Sequence, residues 1–408
     1  MNTVLFTFIK IYYIIILSYG KESILMVKQN KAVELRLYPN KEQQILLSKT
    51  FGCCRKVYNL ALAESIESYK QNGKFKHSNY TTYREQFPFL GEVEAQALNQ
   101  SLQNLKSAFK NRFSKTAKRQ TGFPRFKSKH GKQSYRTCMP SPNALQDKYL
   151  KLPIIGKIRF RAKPRVQDSW KLKSITVSKS HTGKYHASLL YEFYIEEPHI
   201  ELNIYNSIGL DYKSNGLFVD NQANEPDYPK FFRLYESKLA FEQRKLSHMK
   251  RGSNNYYKQK LKVAKVHDKI ANCRKDFLHK LSYLLANTYD YVFVEDLNMQ
   301  TISKFLHLGK STCDNGFGMF RFMLSYKLQD RGKIFHKIDK WFASSTTCSN
   351  CGTKHKEIVN SLSIRKWTCS TCGYNHDRDI NAAINIRQQG IKELTVGTAG
   401  LACLCCSQ

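Results

Sequence analysis

Residues 369–386 read CSTCGYNHDRDINAAINI. The stretch holds a CxxC pair with a turning glycine, then an acid, then an apolar run at helical spacing from Ile380 to Ile386 that stops short of Gly390. Upstream, Cys348 and Cys351 form the same kind of knuckle, again followed by glycine, with seventeen residues between Cys351 and Cys369. Two thiolate pairs at this spacing close a tetrahedron around zinc, and a glycine after each pair lets the backbone turn tightly round the metal. With Cys348, Cys351, Cys369 and Cys372 as ligands no coordination position is left for substrate, so the site is structural. His355 and His376 could substitute for a ligand but are not needed. Cys403, Cys405 and Cys406 have no partner pair, and no site is assigned there.

Working outward, Asp379 is one of three acids placed at the ends of expected elements. Asp211 ends the strand at 208–210, Glu295 ends the apolar strand at 291–294, and Asp379 opens the last helix. Each alone has a plain explanation as a strand-end or helix-capping acid. Together, in a chain poor in acids, they bring hard oxygen ligands to one edge of a sheet. Such ligands bind Mg2+ or Mn2+, and two such ions about 3.5–4 Å apart serve phosphodiester hydrolysis. Asp220, Asp296 and Asp377 compete for the same roles.

Composition supports that chemistry. Lys and Arg number 66 against 32 acidic residues, a formal charge of +34, with 24 Tyr and 24 Phe interleaved. A membrane surface or simple solubility explains such an excess less well than nucleic acid does. At 408 residues, 41% hydrophobic, the chain can bury cores for two or three domains. The CxxC pairs and the adjacent Cys53 and Cys54 make a poor disulfide framework, which points to a reducing, cytoplasmic protein. Residues 4–20 (VLFTFIKIYYIIILSYG) resemble a signal or short anchor, but Lys10 interrupts them and no small-residue cleavage site follows. Residues 1–25 are therefore read as an extension from an over-long start, and no stable membrane association is expected.

From Met26 an alternating strand leads to Asn40 and Gln43, a capping pair, and Leu47, Phe51, Cys54, Tyr58 and Leu62 recur at helical spacing as a core stripe. Residues 105–132 contain no acid. Lys110, Arg112, Lys115, Lys118, Arg119, Arg125 and Lys127 crowd there with Phe109, Phe113, Phe123 and Phe126, while Gly122 and Pro124 break the helix. A broken basic segment with aromatics suits backbone binding and base stacking. Residues 136–197 look strand-like, with a turn at Thr182 and Gly183, and suggest a small barrel or sheet. After residue 203 come a strand, a hairpin, a long basic helical region at 232–288 and a second apolar strand. In the helical region Val263, Val266, Ile270, Cys273, Phe277, Leu281 and Leu284 mark the expected buried face.

FPRFKSK, GLDYKSNGLFVD, VEDLNM, SSTTCSNCG and CGYNHDRDINAAINI together resemble the OrfB/TnpB proteins of insertion sequences, relatives of the type V CRISPR effectors. The resemblance runs from Met26 to about Gly400. It implies an α+β multidomain fold: an RNase H-like (RuvC) α/β domain with an inserted zinc ribbon, preceded by a β-barrel wedge and a helical recognition lobe. The implied boundaries are 26–44 and 131–200 for the wedge, 45–130 for the lobe, 203–345 for the RuvC domain, 346–375 for the ribbon, 376–392 for the closing helix and 393–408 for a tail. It places the RuvC acids on Asp211, Glu295 and Asp379, and the zinc ligands on the four cysteines. It further implies an RNA-guided DNA endonuclease, with a guide RNA from the transposon end and a double-stranded DNA target. The extension before Met26, the GLDYK sequence and the cysteine-rich tail depart from the family pattern without removing an acid. A non-cleaving DNA-binding repressor or transposition accessory protein, and a strand-transferring transposase, are the rival expectations.

Overall fold

The computed structural model describes residues 26–114, 121–138, 140–161, 166–196, 203–299, 301–302, 314–355 and 364–405. The chain divides into two compact units, Met1–Glu197 and Pro198–Gln408.

In the first unit the alternating segment forms β1 (Met26–Tyr38), and the capping pair starts α1 (Lys41–Asn72). The Asn40 side chain accepts from Gln43 N at 2.8 Å, while Gln43 Oε1 accepts from Asn40 N at 3.1 Å. Both orphan donors are satisfied before the first turn is complete. All five residues of the expected stripe, Leu47, Phe51, Cys54, Tyr58 and Leu62, are buried. Helices α2 (Tyr80–Gln86) and α3 (Ala95–Phe113) follow. Strands β2 (Gln133–Cys138), β3 (Leu145–Gln146), β4 (Tyr149–Leu152), β5 (Gly156–Phe160), β6 (Lys171–Lys179) and β7 (Tyr185–Glu196) join β1 in an antiparallel sheet of order β2-β6-β7-β1-β5-β4-β3. Gly183, at φ +79°, makes the expected turn between β6 and β7.

The barrel expectation needs correcting. Among the described residues the terminal strands β2 and β3 do not pair, and β3 is two residues long, too short to carry a closing ladder. Sheet and helices nevertheless share one hydrophobic cluster, in which Leu35 and Leu37 meet Leu47 and Val57 of α1, Leu98 and Leu105 of α3, and Val177 and Leu189 of the sheet.

The second unit is built on β8 (Ser207–Tyr212), β9 (Phe218–Asp220), β10 (Tyr291–Glu295) and β11 (Ile334–Ile338), in the order β11-β10-β8-β9. Strand β10 runs parallel to β8 and β11, and β9 is antiparallel to β8. Helices α4 (Phe231–Ser247), α5 (Asn254–Thr288), α6 (Phe317–Gln329) and α7 (Arg378–Cys405) accompany it, and β12 (Lys366–Thr368) pairs with β13 (Asn375–Asp377) in the ribbon. Strand alternation divides the apolar residues between two faces. Ile208, Leu210, Val292 and Val294 pack with Leu278 and Leu285 of α5 and Phe317, Phe320 and Leu324 of α6. Phe293 and Ile338 pack instead with Ile386 of α7.

Three differences from the sequence reading follow from packing. The helical region is two helices: Gly252 at φ +87° breaks it, and the Ser253 side chain accepts from Tyr256 N to restart α5. On α5 Val266 and Ile270 are buried against Leu239 of α4, but Leu284 is 61% exposed and Leu278 and Leu285 are buried instead. The helix changes partner from α4 to the sheet, and its buried face rotates with the change. Finally, α7 continues past the expected end at 392 and into the expected tail, to Cys405.

Gly390 serves packing rather than termination. A Cβ there would lie 2.0 Å from Cδ1 of Phe293, and one at Gly209 would lie 2.2 Å from Ala383 O and 2.8 Å from Arg387 N. Gly209 and Phe293 are cross-strand partners on β8 and β10. The helix therefore rests on a shelf made by a glycine beside a phenylalanine. We expect Gly209→Ala and Gly390→Ala each to lower unfolding stability by about 1–3 kcal/mol or more, since a backbone or buried ring must shift to admit the methyl group. Urea denaturation with an unchanged m-value checks this, and a variant as stable as the parent would contradict it.

Candidate active site and metal centre

The parallel ladder between β8 and β10 ends at the pair Leu210 and Val294. Asp211 and Glu295 come next on adjacent strands, so both carboxylates leave the sheet at the same end. Asp379 reaches that end from α7, in its first turn. Asp377 Oδ1 accepts from Asp379 N at 3.0 Å and from Ile380 N at 3.3 Å, fixing the start of the helix.

These acids feel one another. Burial, and after it the charges of Glu295 and Asp379, hold the Asp211 carboxyl well above the usual carboxylate range. Burial also raises Glu295, partly offset by a hydrogen bond that the Ser344 hydroxyl donates to its Oε1. Asp379 is paired with Arg365, whose Nη1 lies 3.0 Å from Oδ1 and 3.3 Å from Oδ2. Arg321 braces the end of β10 by donating to Glu295 O at 3.1 Å and Leu297 O at 2.9 Å.

The competing acids are committed elsewhere. Asp220 is buried and accepts from Gln222 N and Asn224 N, both at 2.8 Å. Asp296 pairs with Lys337 at 2.8 Å, and Asp377 is the helix cap. Sequence reading missed Arg365, Ser344 and Arg321, which had no spacing signal. It also left Asn381 and Asn385 without a role. Asn381 Nδ2 donates to Thr347 O at 2.8 Å and Oδ1 accepts from Ser349 N at 2.9 Å, while Asn385 Nδ2 donates to Ser344 O and Thr347 O at 2.7 and 2.6 Å. Two buried amides, one turn apart on α7, thus clamp the loop that carries Ser344 and Cys348.

The four cysteines Cys348, Cys351, Cys369 and Cys372 converge, their sulfurs all within 4.8 Å of one another. Cys348 and Cys372 are 3.7 Å apart and Cys351 and Cys369 3.6 Å, against about 3.8 Å for the edge of a tetrahedron with Zn–S arms of about 2.3 Å. This donor set fits zinc.

The basic segment divides. Lys115, Lys118 and Arg119 lie outside the described residues. Lys110 and Arg112 sit in the last turn of α3, where cations complement the helix dipole. Arg125 and Phe126 are exposed. Lys127 is exposed too, but its Nζ stands 3.8 Å over the Tyr58 ring, partial burial lowers its pKa, and its backbone is strapped to the Asn59 amide. Phe109 and Phe113 stack on Phe75 and Phe123 lies tilted beside it, while Phe75 itself lies on Tyr69 at 4.3 Å between ring centres. Beside this aromatic cluster is a cavity of about 500 Å3 lined by Lys76, His77, Asn99, Gln103 and Lys106, which no pattern in the sequence announced.

Family profiles match this chain in three stretches: a "Helix-turn-helix domain" of OrfB proteins at 26–74, a "Probable transposase" of the same family at 190–305, and a "Cas12f1-like, TNB domain" at 317–386. A Streptomyces pristinaespiralis protein named as a candidate RNA-guided DNA endonuclease is 33% identical over 93% of this chain and 92% of its own length. The chain belongs to the OrfB/TnpB family. A second relative, InsQ of Escherichia coli K12, carries the same designation and is 30% identical over 92% of this chain and 94% of its own. The solved Cas12f1–sgRNA–target DNA complex aligns over 88% of this OrfB/TnpB chain and 99% of that protein, at 14% identity and a TM-score of 0.45. Where the profile is described as helix-turn-helix, this OrfB/TnpB member has strand β1 followed by one 32-residue helix.

Two outcomes are expected. Cys369→Ser should leave the protein without its zinc, because a buried ligand is lost from a ribbon too small to fold unaided. Metal analysis should find about one zinc per chain in the parent and none in the variant. For Asp211 the folded pKa is above the unfolded value of about 3.9. The protonated carboxyl therefore contributes stability that is fully present below about pH 3.9 and is lost as pH rises through the folded pKa. Asp211→Asn should thus raise the melting temperature of the zinc-loaded, Mg2+-free protein at neutral pH by at least about 2 °C, the scale of 1 kcal/mol in a unit of this size. Calorimetry with and without Mg2+ tests it, since the gain should shrink when a cation offsets the charge.

Proposed function

We propose that this chain is an RNA-guided DNA endonuclease with a RuvC-type site formed by Asp211, Glu295 and Asp379. The observation that carries the reading is the convergence of Asp211, Glu295 and Asp379 at one sheet end, where burial and the charges of Glu295 and Asp379 disfavour the charged form of Asp211 and burial disfavours that of Glu295. Carboxylates so placed repel a phosphodiester unless a cation intervenes, and hard oxygen donors suit Mg2+ or Mn2+. Such ions, when bound, polarise the scissile phosphate and lower the pKa of the attacking water. The protein's own part is to hold the three carboxylates. Asp211 and Glu295 are fixed by the parallel ladder, Glu295 further by Ser344, and Asp379 by Arg365 and the capped helix.

The relatives' designation supports RNA guidance, and so does the spread of cations over several elements rather than one base-reading helix. Charge distributed in this way grips a backbone or heteroduplex by shape. The guide is proposed to derive from the transposon end, and the target to be double-stranded DNA. Lys110, Arg112, Arg125, Phe126 and Lys127 are the described residues assigned to the nucleic-acid surface, and Lys115, Lys118 and Arg119 complete it in sequence. No described helix is long and apolar enough to cross a membrane, and the cytoplasm, where the nucleic acid is, is the proposed place of work. Residues 1–25 lie outside the described residues.

Asp211→Ala should reduce plasmid cutting in Mg2+ to background while leaving DNA affinity equal or slightly higher. Matched and mismatched targets are offered to protein purified with and without its RNA. Cutting that ignores both RNA and target match would overturn RNA guidance. Tight DNA binding by the parent protein without any cutting would favour the repressor reading.

A further inference from the structure

The two knuckles of the ribbon are longer repeats than their cysteines suggest. Residues 348–355 read CSNCGTKH and 369–376 read CSTCGYNH, so each is a CxxCGxxH unit. Their backbones repeat as well. Cys348 N donates to Thr353 O and Cys369 N to Tyr374 O, both at 2.9 Å, and Gly352 and Gly373 take φ +76° and +71°. The histidines cross over. His376 of the second knuckle puts Nε2 3.0 Å from Cys348 Sγ in the first, and His355 of the first puts Nε2 3.2 Å from Cys369 Sγ in the second. The Trp367 ring lies between them, 5.0 Å from His355 and 4.4 Å from His376.

The pairing follows burial. Cys348 and Cys369 are each 1% exposed, whereas Cys351 and Cys372 are exposed and water can solvate them. A zinc-bound thiolate accepts hydrogen bonds and donates none, and four of them leave the centre with a net negative charge. The two thiolates that water cannot reach are the two that meet an imidazole nitrogen. The sulfur separations already close a tetrahedron, so these nitrogens stand outside it as donors.

We propose that His355 and His376 are crossed outer-sphere donors to the zinc centre, each presenting Nε2–H to the buried thiolate of the opposite knuckle, and that His376 links zinc retention to the placement of Asp379. The link is short. His376 lies on β13 beside Asp377, whose carboxylate caps α7 through Asp379 N and Ile380 N. This second half rests on the nuclease reading given above; the first does not.

The test uses the full zinc-loaded chain and its His355→Ala, His376→Ala, His355→Gln and His376→Gln variants. Zinc transfer to a chromophoric chelator is followed, together with the thiolate-to-metal charge-transfer band of the Co2+-substituted protein. Each alanine variant should release zinc about 10- to 100-fold more readily, the range seen when outer-shell partners are removed. Each glutamine variant, whose amide reaches the same point, should restore most of the retention, and the charge-transfer band should shift in the alanine variants alone. Alanine variants that hold zinc like the parent, glutamine variants as leaky as alanine, or Co2+ bands of a nitrogen-ligated centre would overturn the first half. For the second, zinc-replete His376→Ala should lose at least about tenfold in cutting rate at unchanged DNA affinity, with His355→Ala losing less. Equal rates for the two would overturn the link. Zinc transfer needs no DNA cutting, so a parent that proves not to be a nuclease sinks the earlier reading and leaves the zinc result standing.

Discussion

The close approach of α7 to the sheet is the constraint on which the second unit depends. Gly209 offers no side chain, Phe293 beside it fills the space, and Gly390 lets the helix pass over that ring at contact distance. Arg387 fastens the approach by donating from Nε to Ser207 O at 3.1 Å and to Ser207 Oγ at 2.9 Å. Because the helix is held this tightly, its first turn has one position relative to the ends of β8 and β10. Asp379 sits in that turn. The same helix turns Asn381 and Asn385 toward the loop before the first knuckle, so one rigid element sets the third acid, the Ser344 that bonds Glu295, and the approach to Cys348.

The acid cluster illustrates how a site stores a cost that a ligand can relieve. Asp211 is pushed toward its neutral form by burial and by its two neighbours, and a backbone hydrogen bond at Tyr212 and the charge of Arg378 offset only part of that. A folded chain tolerates the arrangement because the sheet and α7 supply far more packing than two buried carboxylates remove. The zinc ribbon works the other way. Its four sulfurs stand at the spacing of a zinc tetrahedron, and a metal bound there would add the folding energy that its few strands lack.

The candidate site residues were legible in the sequence because chemistry restricts residue type. Only cysteine pairs with glycine turns build such a knuckle, and acids stand out in a chain with twice as many cations. The helix start at Asn40 and Gln43, the core stripe of α1 and the turn at Gly183 could be read because each rests on local backbone physics within a few residues.

What the sequence by itself determined, then, was the inventory: a polyanion-binding charge, a four-thiolate centre, three acids at element ends and the elements with strong local signals. Tertiary structure alone decided which partner each surface met. Leu284 fits the helical repeat yet stays exposed because α5 changes partner along its length. Gly390 looks like a helix stop and is instead the space for a ring that lies nearly a hundred residues earlier in the chain. Lys127 belongs to a basic run but its ammonium is held over Tyr58, and Arg365 reaches Asp379 across the ribbon hairpin. The seven-stranded sheet stays unclosed among the described residues, since β3 is too short to meet β2. Periodicity and residue type act over a turn or a strand, whereas these outcomes depend on which distant atoms fill the space beside a side chain.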